Sequence, residues 1–83
     1  SYNVGAWSIL CEIGRGTYGV IYLARHTDDG RAAAIKAINK NKLKPSDLHK
    51  VKSECQAMRE LANHPNIISL YDIVEDSNYI CII

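Results

Sequence analysis

Three features of this sequence are of types that handle a phosphate-bearing ligand: a glycine cluster, one lysine and one glutamate. Gly14-Arg15-Gly16-Thr17-Tyr18-Gly19 is a G-x-G-x-x-G. Residues without a Cβ tolerate positive φ and let backbone N–H groups approach an anion closely. The pattern is weak alone, because glycines also simply turn a hairpin. Lys36 falls in Ala32-Ala33-Ala34-Ile35-Lys36-Ala37-Ile38, where strand alternation gives it the same face as Ala32, Ala34 and Ile38. An ammonium group among small apolar neighbours is costly unless paired. The alternative is a lysine whose stem packs while its head reaches water. Glu54 lies about 40° from Met58 and about 60° from Val51 on a helical wheel of ~100° per residue, so it projects from the buried side of its helix or that side's border. It can pair on the surface with Lys50, or with Lys36 inside. At ~4 Å and an effective dielectric of ~20 the inner pair attracts by ~4 kcal/mol, much of which desolvation cancels. Such a pair holds a lysine for a ligand rather than stabilising a fold.

The elements on either side narrow the chemistry. Trp7 to Ile13 reads as a strand, with Ile9, Cys11 and Ile13 alternating against Ser8, Leu10 and Glu12. The three glycines follow, and Val20-Ile21-Tyr22-Leu23-Ala24 is β-branched and aromatic enough for a second strand. A dinucleotide-binding fold needs a helix directly after the glycines, and position 39, about twenty residues beyond Gly19, is Asn39 rather than an acid. A Walker-type loop needs Gly-Lys-Ser or Gly-Lys-Thr, and neither follows. A β-hairpin lying over the phosphates of a nucleotide remains.

His26-Thr27-Asp28-Asp29-Gly30 has turn composition, and Ala32 to Ile38 follows as a third strand, despite the helix propensity of alanine. Asn39 to Lys44 is a basic, solvated loop. Pro45-Ser46-Asp47 starts a helix, whose apolar stripe runs Leu48, Val51, Cys55, Met58 and Leu61 or Ala62. Asn63-His64-Pro65-Asn66 stops it. Ile67 to Tyr71 and Tyr79 to Ile83 are two more strands, with an acidic turn from Asp72 to Asn78 between them. Three strands, one helix and two strands make an α+β domain over residues 1–83. The last apolar strand runs to the final residue, which reads as a piece of something longer.

Composition sets the background. The 83 residues carry 47% hydrophobic and 23% charged side chains with a net charge of +1, the balance of one small globular domain. That charge gives no global field for nucleic acid or an acidic membrane. No apolar run approaches the ~20 residues of a membrane span, and no signal-peptide pattern opens the chain. An intracellular, cytoplasmic location is expected, with the nucleus open. Cys11, Cys55 and Cys81 are odd in number and far apart, so they read as reduced, small apolar fillers. Neither they nor the three histidines have zinc spacing, and no metal ligand is assigned.

In this order the residues resemble the small, ATP-binding lobe of eukaryotic protein kinases. The likeness runs from about Trp7 to Ile83. Gly14-x-Gly16-x-x-Gly19-x-Ile21 matches the glycine loop, and Ala33-Ala34-Ile35-Lys36 matches the third-strand lysine motif. Glu54 follows Lys36 at family distance, and His64-Pro65-Asn66-Ile67-Ile68 looks like the turn after the helix. Ala33 stands where valine is usual, and Thr17-Tyr18 where Ser-Phe is common.

The resemblance implies a five-stranded antiparallel sheet with one major helix, stopping before the hinge to a C-terminal lobe. It implies that ATP is bound by Ile13, Gly14, Arg15, Gly16, Thr17, Tyr18, Gly19, Ile21, Ala34, Lys36 and Ile83. Backbone amides of Gly14 to Gly19 cover the triphosphate, and Lys36 contacts its α and β phosphates. Glu54 orients Lys36, and Ile13, Ile21 and Ala34 roof the adenine. Ile83 closes the back of the pocket, while Met58 and Leu70 belong to an apolar column between lobes. Partners implied are protein substrates whose Ser/Thr hydroxyls receive the γ-phosphate, together with the C-terminal lobe. Mg²⁺ is implied as well, held by residues of that other lobe. The family's His-Arg-Asp and Asp-Phe-Gly motifs do not occur in the 83 residues, so this stretch alone is expected not to catalyse transfer. A pseudokinase, which binds nucleotide or partners without chemistry, is the alternative. Taken alone, the stretch is expected to self-associate through its exposed apolar underside.

Overall fold

The computed structural model describes residues 2–16, 19–61 and 70–83, without the side chains of Met58 and Leu61. Six strands and one long helix follow in the order β1 (Tyr2–Val4), β2 (Trp7–Arg15), β3 (Gly19–His26), β4 (Ala32–Asn39), α1 (Pro45–Leu61), β5 (Ile73–Glu75) and β6 (Tyr79–Ile82). A 3-10 turn at Lys40–Lys42 joins β4 to α1. The strands form one antiparallel sheet in the order β1-β2-β3-β4-β6-β5. The class is the expected α+β, with one strand more.

Turn chemistry explains the hairpins. Gly5, at φ +55°, lies in the two-residue turn between Val4 and Trp7, and Gly30, at φ +75°, ends the turn between β3 and β4. Positive φ is costly for residues with a Cβ. Helix α1 begins on Pro45, whose missing N–H has no partner to lose in a first turn. The basic loop is more ordered than expected. Asn39 Oδ1 accepts from the Asn41 amide at 2.9 Å, and Lys40 Nζ donates to Glu75 Oε2 at 2.5 Å and to the Asp76 carbonyl at 2.8 Å.

Besides β1, which the sequence reading did not anticipate, two departures concern strands. Ile73-Val74-Glu75, within the expected acidic turn, is β5, paired with Ile82, Cys81 and Ile80. Ile67 to Ser69 of the expected strand lie outside the described residues, and Leu70 and Tyr71 belong to no strand. Tyr71 nonetheless donates its amide to the Ile83 carbonyl at 2.8 Å, which extends the β5–β6 pairing. The second departure is in β2. Ile9 pairs with Ala24 but Cys11 pairs with Leu23, and Glu12 pairs with Tyr22 but Gly14 with Ile21. Leu10 and Ile13 are therefore extra residues at bulges, and each bulge reverses the alternation beyond it. Ile9 and Cys11 do not share a face.

The sheet curls into a half-barrel. Its inner face holds the main core of Trp7, Ala24, Ile35, Cys81 and Ile83, with Val4, Ala33, Ala37 and Val74 against it. Opposite ends of the sheet meet where a Cβ at Gly5 would touch Val74 Cγ2 at 3.8 Å. Trp7 is held by His26 edge-on at 5.0 Å and by Tyr71 at 5.5 Å, while the Arg31 guanidinium lies 5.7 Å from the Trp7 ring and 5.1 Å from that of Tyr71. On the other face a smaller core of Ile38, Ile80 and the α1 residue Cys55 is buried. Leu48 and Val51 of the apolar stripe are half-buried, whereas the expected helix stop at residues 63–66 lies outside the described residues.

Candidate nucleotide site

Strand register gathers the site on the face away from the main core. Directly opposed residues of an antiparallel sheet point to the same side, and one such row runs Gly14, Ile21, Lys36, Ile82 and Ile73 across five strands. The neighbouring row is Cys11, Leu23 and Ala34. Ile21, Ala34, Lys36 and the first glycine of the loop thus share one surface. Ile13 is a bulge residue beside them and 56% exposed.

Lys36 and Glu54 line one cavity of about 400 Å³ with Ile38, Val51, Cys55 and Ile82. Strand β4 supplies the amine and helix α1 the carboxylate, and Asp47 and Lys50 add further charge to the wall. Neither side chain is buried as alternation alone suggested. Helix α1 covers this face only toward Ile38 and Ile80, so the Lys36 head reaches water. Lys36 and Glu54 are not joined: among the described residues the ion pairs are Glu12–Arg15, His26–Asp29, Asp29–Arg31, Glu75–Lys40 and Glu75–Lys52. Lys52 is then the side chain that ties α1 to the sheet, at 3.4 Å from Glu75 Oε2. Lys40, which also grips Glu75, holds that carboxyl below the ordinary carboxylate range, first through its hydrogen bond and then by charge. Sequence spacing gave no sign of this network, because its members come from three separate segments.

The glycines act differently from one another. The Gly16 amide donates to the Gly19 carbonyl at 2.8 Å, closing the neck of the hairpin, so in this arrangement that N–H is already engaged. Thr17 and Tyr18 lie outside the described residues. A Cβ at Gly19 would overlap the Ala37 carbonyl oxygen, whereas at Gly14 and Gly16 the nearest atoms stand at 3.8 and 3.9 Å. Positive φ occurs only at Gly5 and Gly30 among the described residues, so the loop glycines are distinguished by absent side chains rather than unusual backbone. Arg15 points its guanidinium at Glu12, at 2.5 Å.

Ile83 does not share the Lys36 face. It is 5% exposed within the main core, on the face opposite Lys36. Because Lys36 pairs with Ile82 and alternation has period two, Ile82 is the β6 residue on the Lys36 cavity. Of the two residues assigned to an inter-lobe column, the Met58 side chain lies outside the described residues and Leu70 is half-buried. Burial pushes the Cys55 and Cys81 thiols above their ordinary range. Among the described residues no group of three or more His, Cys, Asp or Glu side chains is placed to hold a metal ion, and no helix is long and apolar enough to cross a membrane.

A curled antiparallel sheet with one helix, a glycine hairpin, and a lysine and a glutamate facing one cavity define a kinase small lobe. The family model described as protein kinase domain matches residues 7–83, and the chain belongs to that family. It is 41% identical to the serine/threonine-protein kinase SIK2 of Gallus gallus over 98% of its own length and 10% of the relative's. Identity to the calcium-dependent protein kinase 20 of Oryza sativa subsp. japonica is 46%, over 81% of this chain and 12% of that protein. Serine/threonine-protein kinase SIK1 of Rattus norvegicus is 40% identical over 98% of the chain and 10% of that protein. The chain spans about a tenth of the length of these relatives.

Proposed function

We propose that this chain is the ATP-binding part of a protein kinase that transfers the γ-phosphoryl group of ATP to serine or threonine hydroxyls of proteins. The observation that carries the reading is the shared cavity of Lys36 and Glu54, on the face that also presents Gly14, Ile21 and Ala34. In the assembled site, amides of the Gly14–Gly19 hairpin lie over the triphosphate. The Lys36 ammonium neutralises its α and β phosphates, and Ile13, Ile21 and Ala34 enclose the adenine. Glu54 fixes the lysine in the assembled site, which makes the position of α1 a switch. In transfer, the substrate hydroxyl oxygen forms the new P–O bond, the bond from the γ-phosphorus to the ADP oxygen breaks, and the hydroxyl proton passes to a base.

The base and the Mg²⁺ ligands are assigned to residues outside these 83, in which the family's His-Arg-Asp and Asp-Phe-Gly motifs do not occur. The stretch alone therefore binds without turning over. The names of the relatives support serine/threonine rather than tyrosine acceptors.

The test is Lys36→Met in the whole protein that carries this chain. Phosphate transfer to a generic serine peptide should fall by about a hundredfold or more, the scale of losing one preorganised charge at a reacting anion. The thermal midpoint should hold, because among the described residues Lys36 forms no ion pair that the fold would lose. Retained transfer by the variant would refute the role. A wild-type protein that binds ATP and transfers nothing would identify the pseudokinase instead.

A further inference from the structure

Helix α1 meets the sheet along a narrow line, with a cleft on each flank. Toward β4 lies the cavity of about 400 Å³ that holds Lys36 and Glu54, and toward β5 lies a smaller one of about 150 Å³ that holds Lys52 and Glu75. Cys55, the buried residue of α1 among the described side chains, lines both. Strand β6 runs between β4 and β5, giving Ile82 to the first cleft and Ile80 to the second. At about 100° per residue, Lys52 and Glu54 stand about 80° to either side of the line midway between Val51 and Cys55. A roll of the helix about that line brings one of the two toward the sheet and carries the other away.

One flank is tied. Glu75 is fixed from the sheet side, where Lys40 Nζ donates to its Oε2 at 2.5 Å and to the Asp76 carbonyl at 2.8 Å. Lys40 is itself held, its amide donating to the Asn78 carbonyl at 2.8 Å. Lys52 Nζ reaches the same Glu75 oxygen from the helix, at 3.4 Å. Because that acceptor is already ordered, the bridge costs the conformational freedom of Lys52 alone. The other flank is open. Lys36 and Glu54 share their cavity, yet neither is in an ion pair among the described residues.

We propose that Glu75 is a positioning residue: through Lys52 it holds α1 rolled toward β5 and so keeps Glu54 off Lys36. The inference rests on the nucleotide reading and adds to it the restraint that sets α1. The two ion pairs oppose each other, and loss of the Lys52–Glu75 bridge frees the roll that carries Glu54 to the lysine. The fraction of molecules with an assembled site then rises, and the apparent affinity for ATP rises in proportion.

Lys52→Ala isolates the helix arm of the bridge, because it leaves Lys40 and Glu75 together. In the whole protein, kcat/KM for ATP with a serine peptide and the affinity for N-methylanthraniloyl-ATP should both rise about two- to fivefold, the range open to an exposed ion pair. KM for the peptide should stay as it is. Loss of a merely structural contact lowers activity and does not raise it. Lys52→Arg, which keeps the bridge, should behave as the wild type. In a Glu54→Gln background, adding Lys52→Ala should change neither readout, because residues that act through one another are not additive. No gain in Lys52→Ala, the same gain with Glu54→Gln, or an equal gain in Lys52→Arg would overturn the proposal. Binding of the analogue by Lys36→Met tells the two readings apart without any transfer. If that variant binds as the wild type does, the nucleotide reading falls and this proposal with it. If it binds more weakly while Lys52→Ala shows no gain, the bridge alone is refuted.

Discussion

Gly19 separates two reasons for keeping a glycine. Its approach to the Ala37 carbonyl is a packing constraint between β3 and β4, whereas a Cβ at Gly16 would meet only the Gly19 carbonyl oxygen at an ordinary 3.9 Å, and the Gly16 amide closes the hairpin neck. Gly19→Ala should therefore destabilise by about 1–3 kcal/mol, the range for overpacking. Gly16→Ala should stay within about 0.5 kcal/mol, as for a substitution that creates no clash. Urea denaturation followed by the fluorescence of Trp7, the one tryptophan, reads both. Cys11 offers a second test at this scale. It is the exposed thiol, on the row beside Ala34, while Cys55 and Cys81 are buried. Maleimide should label Cys11 first, and saturating ATP analogue should slow that labelling if nucleotide occupies the Lys36 face. Labelling indifferent to nucleotide would move the ligand elsewhere.

Among elements, α1 is the least anchored. Its buried contact runs through Cys55, with Leu48 and Val51 half-covered, and Lys52–Glu75 is its one ion pair with the sheet among the described residues. An exposed pair contributes little to global stability, yet a weakly packed element opens by local fluctuation at low cost. Lys52→Ala should leave the global urea midpoint nearly unchanged and accelerate amide exchange in α1 but not in β3 or β4. Uniform acceleration would mean that helix and sheet open as one unit. Mobility of α1 matters to the proposed chemistry because that helix carries Glu54. The β2 bulges belong to this scale too. Composition marked β2 as a strand, but alternation read straight through Leu10 and Ile13 assigned its faces wrongly, since a bulge is decided by the partner strand.

Across the molecule, three carboxyls are held below their ordinary range: Asp29 chiefly by the Arg31 amide, Glu75 chiefly by Lys40 and Asp76 chiefly by the Tyr79 amide. A carboxyl with a depressed folded pKa adds stability above its unfolded value and loses it as pH falls through the folded one. The chain should thus be at full stability on these groups above about pH 5 and weaken progressively below it. Asp29→Asn, Glu75→Gln and Asp76→Asn combined should flatten that slope. An unchanged acid transition in the triple variant would show that other groups drive it.

The local alphabet was enough for the class of fold, the hairpin of glycines and the start of α1. Each of these rests on short-range rules: turn residues, periodicity and caps act within a few positions along the chain. Tertiary structure alone decided that Ile82 rather than Ile83 faces the cavity, that Ile73-Val74-Glu75 is a strand, and that Lys40, Lys52 and Glu75 meet. Strand register, bulges and helix docking depend on partners dozens of residues away, and a one-residue change of register sends every side chain to the other face.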